Sequence, residues 1–167
     1  MPEVYRGRVF SVEVDRVLFP NGREHTVEVV RHPPSVVLLP IQADGRVILV
    51  RQYRPSIAQD TWEVPAGSLN PGETPEAAAR RECEEETRLA PRRVERLLGL
   101  FPAPGFCDEE LIFFRVSDLG PPAPDSTHRP DEDEDLEVQA FTCDEARAMV
   151  ENGEIVDLKS AYALTLL

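Results

Sequence analysis

The sequence predicts an α/β protein in which an N-terminal antiparallel β layer precedes a domain of mixed strands and helices. Three observations carry that expectation. Tyr5 to Arg31 reads as short strands, with an alternating stretch followed after a turn by a β-branched one. Two apolar runs of strand length follow, on either side of an Asp-Gly turn. Behind a Thr-Pro start signal comes a run of helix formers with no internal breaker.

In chain order, V-F-S-V-E-V-D and H-T-V-E-V-V read as strands joined by a turn at Pro20-Asn21-Gly22. After the Pro33-Pro34 break, S-V-V-L-L-P-I-Q and R-V-I-L-V-R-Q-Y flank Asp44-Gly45 and read as a hairpin of largely buried strands. Trp62 to Val64 adds a short strand. Thr74 caps a helix expected over about residues 75 to 88, with Pro75 at its first position. Further strands fit Arg96 to Leu100, Leu111 to Val116 and Glu137 to Thr142. A helix from about Asp144 should stop before Gly153, and S-A-Y-A-L-T-L-L should form the last one. The layer at 1–34 and the domain at 35–167 are the expected divisions.

The 167 residues, 41% of them hydrophobic, suffice for one core with an accessory layer. A formal charge of -13, from 18 basic and 31 acidic residues, argues against nucleic acid or an anionic membrane as partner and favours bound cations. Cys83, Cys107 and Cys143 are widely spaced, odd in number and contain no C-x-x-C pair, so neither a disulfide framework nor a zinc ribbon is indicated. With no signal-peptide core and no apolar run of spanning length, a cytoplasmic location is expected.

The segment from Gly67 to Leu89 concentrates glutamate. On a helix Glu82 and Glu86 share one stripe, Glu85 sits beside them and Glu84 points roughly the opposite way. Ala79 and Cys83 can pack beside that stripe, and Arg81 can pair with Glu85 one turn on. Carboxylates so close repel one another unless a cation binds, and a hard divalent ion such as magnesium takes oxygen ligands while leaving room for water and phosphate. A solvated acidic face is the bland alternative for any such charge run.

What precedes the helix reverses that balance. Gly67, Glu73, Arg81-Glu82, Cys83, Glu85-Glu86 and Leu89 fall in register with G-x5-E-x7-R-E-U-x-E-E-x-G-U, where U is apolar, and only Arg88 departs, standing where the pattern has glycine. The segment resembles the Nudix hydrolase box. The resemblance implies an α/β/α sandwich with mixed sheet, and hydrolysis of a nucleoside diphosphate linked to another group. It also implies that Glu82 and Glu86 are the main ligands of Mg2+, or of Mn2+ or another divalent cation. Glu85 would be a further ligand or water-mediated contact with a catalytic role, and the Ala66 carbonyl another ligand. Glu73 and Arg81 would tie loop to helix. An arginine in the left-handed turn that glycine would supply should cost about 1 kcal/mol, unless the helix ends differently.

Beyond the box, R-Q-Y-R at Arg51 to Arg54, W-E-V-P-A-G at Trp62 to Gly67, A-P-G-F-C-D-E at Ala103 to Glu109 and P-D-E-D-E-D-L-E-V at Pro130 to Val138 resemble the ADP-ribose pyrophosphatase group. By that resemblance Arg54 and Arg51 meet the pyrophosphate, where cationic groups must accompany the metals. Glu63 helps bind the nucleotide end, and Glu109 lies near the terminal ribose in a loop shaped by Pro104 and Gly105. Trp62 is read as core and Phe106 as either pocket wall or loop anchor. A glutamate of the acidic run is the implied general base, Glu132 first and Glu134 second. The implied reaction splits ADP-ribose into AMP and ribose 5-phosphate in a homodimer whose N-terminal layer exchanges between subunits, although that layer could equally cover its own core. Another NDP-sugar, a dinucleotide such as NADH, and a nucleotide-binding module with little turnover stay open.

Overall fold

A computed structural model of the chain describes residues 1–128 and 136–167. Its strands divide among three sheets. β1 (Glu3–Arg6), β2 (Ser11–Leu18) and β3 (Glu24–Arg31) form an antiparallel sheet, with Leu18 opposite Glu24 across the turn that Gly22 closes at φ 78°. A mixed sheet has the order β7-β4-β9-β8, built from β4 (Ser35–Pro40), β7 (Ala66–Ser68), β8 (Ala90–Leu100) and β9 (Leu111–Gly120), with β4 and β9 parallel. The third sheet, β10-β5-β6, is antiparallel and comprises β5 (Val47–Arg54), β6 (Gln59–Glu63) and β10 (Glu137–Phe141).

The Asp44-Gly45 turn forms, with the Gly45 N–H donating to the Gln42 carbonyl at 2.9 Å, but the strands beside it are not a hairpin. Beyond one bridge between Ile41 and Val47 they part into different sheets. Burial explains the divergence. All six residues of β4 and the first four of β5 are buried, so each strand needs cover on both faces, which a two-stranded hairpin cannot provide.

The alternation of β4 shows how the layers meet. Val36 and Leu38 face a core with Ile112, Phe114 and Val116, closed by Ala78, Ala79 and Cys83 of α1 (Pro75–Thr87). Val37 and Leu39 face the other way, into a core shared with Phe113, Val47, Leu49, Ala146 and Met149 of α2 (Cys143–Glu151), and Ala163 of α3 (Leu158–Ala163). The result is the expected α/β/α sandwich with mixed sheet. Trp62 is half-buried at the edge of this second core, meeting Phe141 edge to face at 5.0 Å.

Helix ends follow the local chemistry. The Thr74 side chain accepts from Ala77 N–H at 3.3 Å, Thr142 and Glu145 form a reciprocal capping box, and Asp157 caps α3, which continues as a 3-10 turn over Leu164–Leu166. β8 is longer than expected because it is an edge strand. Its start, A-P-R-R-V-E, is too polar to read as core, and an edge position tolerates proline.

Candidate active site

The site grows from the contact between β7 and α1. A β-carbon at Gly67 would overlap the Glu82 carboxylate, so the glycine is what lets that side chain lie against the strand. One turn on, Glu86 accepts from the Ala66 N–H at 3.3 Å. Glu82 and Glu86 are both buried on the inner side of α1, and Glu85 is half-buried beside them.

Arg81 organises the approach to this stripe. Its guanidinium donates to both Glu73 oxygens at 2.9 and 2.8 Å, to the Ser68 carbonyl at 3.0 Å, to Glu82 at 2.6 Å and to Glu85 at 2.8 Å. These partners, Glu73 foremost, raise the pKa of Arg81 against the opposing effect of burial. The hydrogen bonds from Arg81 hold the Glu73 carboxyl below its ordinary value, helped by the Asn70 N–H. Loop and helix are thereby tied together. Burial pushes the Cys83 thiol up to about 12, which makes it a packing residue rather than a nucleophile.

A cavity of about 530 Å3 opens over this stripe, lined by Glu82, Glu85, Gly67, Arg81, Arg54 and, from the connection between β1 and β2, Arg8. Arg54 also lines an adjoining groove of about 400 Å3 that includes Glu63, Ile57, Val156, Asp157 and Lys159. A compact charge cluster lines this groove, and Arg54 alone of its members also lines the first cavity. Arg54 Nε and Nη2 donate to the two oxygens of Glu63 at 2.7 and 2.6 Å, and Lys159 Nζ donates to Glu63 at 2.5 Å and to Asp157 at 2.7 Å. Burial alone would push Glu63 and Asp157 up. Arg54 and Lys159 together outweigh it for Glu63, and Lys159 with Ser160 does so for Asp157, so both carboxyls lie below their ordinary values.

The remaining expected residues are placed as follows. Arg51 is exposed on the opposite face of β5 from Arg54, near Asp60 at 3.5 Å and Glu137 at 3.4 Å, and lines neither cavity. Glu109 accepts from Ser35 Oγ at 2.7 Å, and Ser35 in turn lies 3.4 Å from Ser68 at the cavity wall, so Glu109 is joined to the cavity through hydroxyls. Pro104 and Gly105 form an exposed turn whose far side bridges Cys107 to Val30 of β3. Phe106 is exposed, and its carbonyl accepts from Val30 N–H, which anchors the loop to the N-terminal sheet. Glu132 and Glu134 lie outside the described residues.

The Nudix domain family matches residues 31–160. The chain belongs to the Nudix hydrolase family. Relatives of this Nudix hydrolase include the ADP-ribose pyrophosphatase of Bacillus subtilis (strain 168), 35% identical over 99% of this chain and 88% of the relative. The methanol dehydrogenase activator of Bacillus methanolicus is 34% identical with the same coverage. The ADP-ribose pyrophosphatase of Mycobacterium tuberculosis (strain ATCC 25618 / H37Rv) is 33% identical over 92% of this chain and 74% of the relative. Among solved structures, a crystal structure of an ADP compounds hydrolase superposes with a TM-score of 0.85 at 26% identity, covering 99% of this chain and 88% of that one.

Within the Nudix box, α1 ends with Arg88 at φ 62°, ψ 21°, its N–H donating to the Glu84 carbonyl. The arginine adopts the left-handed turn that glycine would supply. Among the described residues no three acidic, histidine or cysteine side chains form a ready-made ion cage. The donor set nonetheless fits a hard cation: it is all oxygen, and Gly67 provides the close approach. Sequence reasoning missed Lys159, Asp157 and Arg8. Lys159 carried a signal, as it is the chain's single lysine.

Proposed function

We propose that this Nudix hydrolase splits the pyrophosphate bond of ADP-ribose to give AMP and ribose 5-phosphate, with a divalent cation, magnesium foremost. The observation that carries the reading is the joined pair of cavities, with Glu82 and Glu85 lining one and Arg54 standing where the two meet. Two cavities of this kind suit a molecule with two ends and a diphosphate between them. The curated relatives named ADP-ribose pyrophosphatase, aligned over nearly the whole chain, support the choice of substrate.

Glu82, Glu86 and the Ala66 carbonyl, with Glu85 beside them, would hold the metal. Bound there, a divalent cation supplies charge to stabilise phosphate oxygens and lowers the pKa of water. The chain's own residues do the rest. Arg54 meets the diphosphate, Arg81 holds the Glu73 loop against the helix so that the carboxylates keep their spacing, and Glu132, or in second place Glu134, takes the proton from water. Glu109 would reach the terminal ribose through its hydroxyl-linked position at the cavity wall. A second reading, another ADP-linked compound, is favoured by the structural neighbour that acts on ADP compounds.

The test is product analysis with ADP-ribose, a panel of NDP-sugars, NADH and nucleoside triphosphates, each with and without magnesium. Metal-dependent AMP release, fastest from ADP-ribose, is expected, and Glu86→Gln should lose most of that turnover while staying folded. Folded wild-type protein that binds nucleotide and metal but cleaves nothing would make it a binding module.

A further inference from the structure

Glu109, read above as the residue that reaches the terminal ribose, stands on the connection between β8 and β9 rather than on a strand or helix. A recognition group on a loop is only as well placed as the contacts that hold the loop. For this loop they come from β3. The Phe106 carbonyl accepts from the Val30 N–H at 2.7 Å and the Asp108 N–H donates to the Val30 carbonyl at 3.1 Å, so residues 106–108 run beside the end of β3.

The side chain of Asp108 completes the attachment. Its Oδ1 accepts from the His32 N–H at 3.0 Å and its Oδ2 from Arg31 Nη1 at 2.9 Å, while Arg31 Nε donates to Glu13 of β2 at 2.9 Å. One planar guanidinium thus joins β2 and β3 to the loop, which fixes direction as well as distance. The next side chain, Glu109, turns to the start of β4, where its Oε1 accepts from Ser35 Oγ at 2.7 Å and lies 3.4 Å from His32 Nδ1. That nitrogen is also 2.7 Å from the Pro33 carbonyl, and because a carbonyl can only accept, Nδ1 carries the hydrogen on the side facing Glu109. Asp108 and Glu109 therefore take their partners from the same short stretch, Arg31 to Ser35, and Ser35 leads on to Ser68 at the cavity wall. The Arg31 and Asp108 side chains are 40% and 41% exposed, and an ion pair so open to water adds little to folding. What it adds is position.

We infer that Asp108 is a positioning residue for Glu109: clamped by Arg31 and the His32 N–H, it sets Glu109 against the cavity, so that the end of the N-terminal sheet governs how well the sugar end of the substrate is held.

The inference rests on Glu109 meeting that sugar, and its test separates the two. The α,β-methylene analogues of ADP-ribose and of ADP, which differ by the terminal ribose and resist cleavage at the bridge, are titrated calorimetrically with magnesium present. Glu109→Gln should bind the ribose-bearing analogue about tenfold more weakly and Asp108→Ala about fivefold, each holding the ADP analogue within about twofold of wild type. Asp108→Asn, which keeps an acceptor for the His32 N–H, should fall between Asp108→Ala and wild type. The double variant Asp108→Ala/Glu109→Gln should lose no more than Glu109→Gln alone, because nothing is left to position. Should Asp108→Ala fail to fold, Arg31→Gln cuts the same link from the sheet side and carries the same expectation. Wild-type affinity in Asp108→Ala beside a weakened Glu109→Gln overturns the proposal alone, as does an equal loss for both analogues or an additive double variant. If Glu109→Gln itself binds the ribose-bearing analogue as wild type does, Glu109 does not meet the sugar, and that reading falls together with the proposal.

Discussion

A carboxylate as enclosed as Glu63 stays ionised in the fold only because Arg54 and Lys159 stand against it, and the same contacts make its charge a source of stability. The sign follows from the direction of the shift. With the folded pKa depressed, the unfolded chain binds the proton more readily, so the contribution is complete above the ordinary carboxylate range, about pH 4, and is lost as pH falls through the folded value. Asp157 acts in the same direction. Urea unfolding measured from about pH 7 to about pH 3 should therefore show Glu63→Gln less stable than wild type at neutral pH by about 3 kcal/mol, with the gap narrowing in acid. A gap that stays constant with pH would mean that Glu63 titrates as an ordinary carboxylate.

Helix α1 is the element where sequence and structure agree most closely, and its end offers a clean test. Arg88 is exposed and sits at φ 62°, where a side chain is disfavoured and glycine is not. Arg88→Gly should raise stability by about 1 kcal/mol, a gain of roughly 2–4 °C in Tm for a chain of this size, with activity unchanged. A lower Tm would show that the arginine side chain makes up for its strained backbone. The helix was legible because its start signal and its breaker-free run are local, whereas its stop, with Arg88 in place of glycine, had to be taken from the resemblance. The partition of β4 and β5 between two sheets was not, because a turn motif reports the turn and says nothing of which strand each arm will later choose. Arg51 illustrates a signal that was present. Residues three apart on a strand point to opposite faces, so Arg51 and Arg54 could not both line one cavity of the same chain. The pairing of Glu63 with Lys159, 96 residues apart, had no local signature at all.

For the molecule as a whole, the N-terminal sheet sets the outstanding physical problem. None of the residues in its three strands is fully buried, and Val4, Tyr5, Val9, Phe10, Leu18 and Phe19 are all exposed. The sheet is tied to the rest at the end of β3, through Val30 with the 106–108 loop and through Arg31 and His32 with Asp108, yet Arg8 and Val9 reach the cavity. A three-stranded sheet with so much uncovered apolar surface is expected to pack on something, and a second copy is the partner always at hand. Two chains at -13 each repel, so association must come from apolar contact working against charge. Light scattering at micromolar concentration should give about twice 18.7 kDa. Raising the salt should tighten the dimer, since screening removes the repulsion and leaves the apolar contact in place, whereas an interface built on ion pairs would loosen. Phe10→Asp, which adds charge to the exposed Tyr5–Phe10 ring pair, should shift the mass toward the monomer. A monomer at every salt concentration would show that the sheet serves its own subunit alone, with Arg8 completing the cavity in cis.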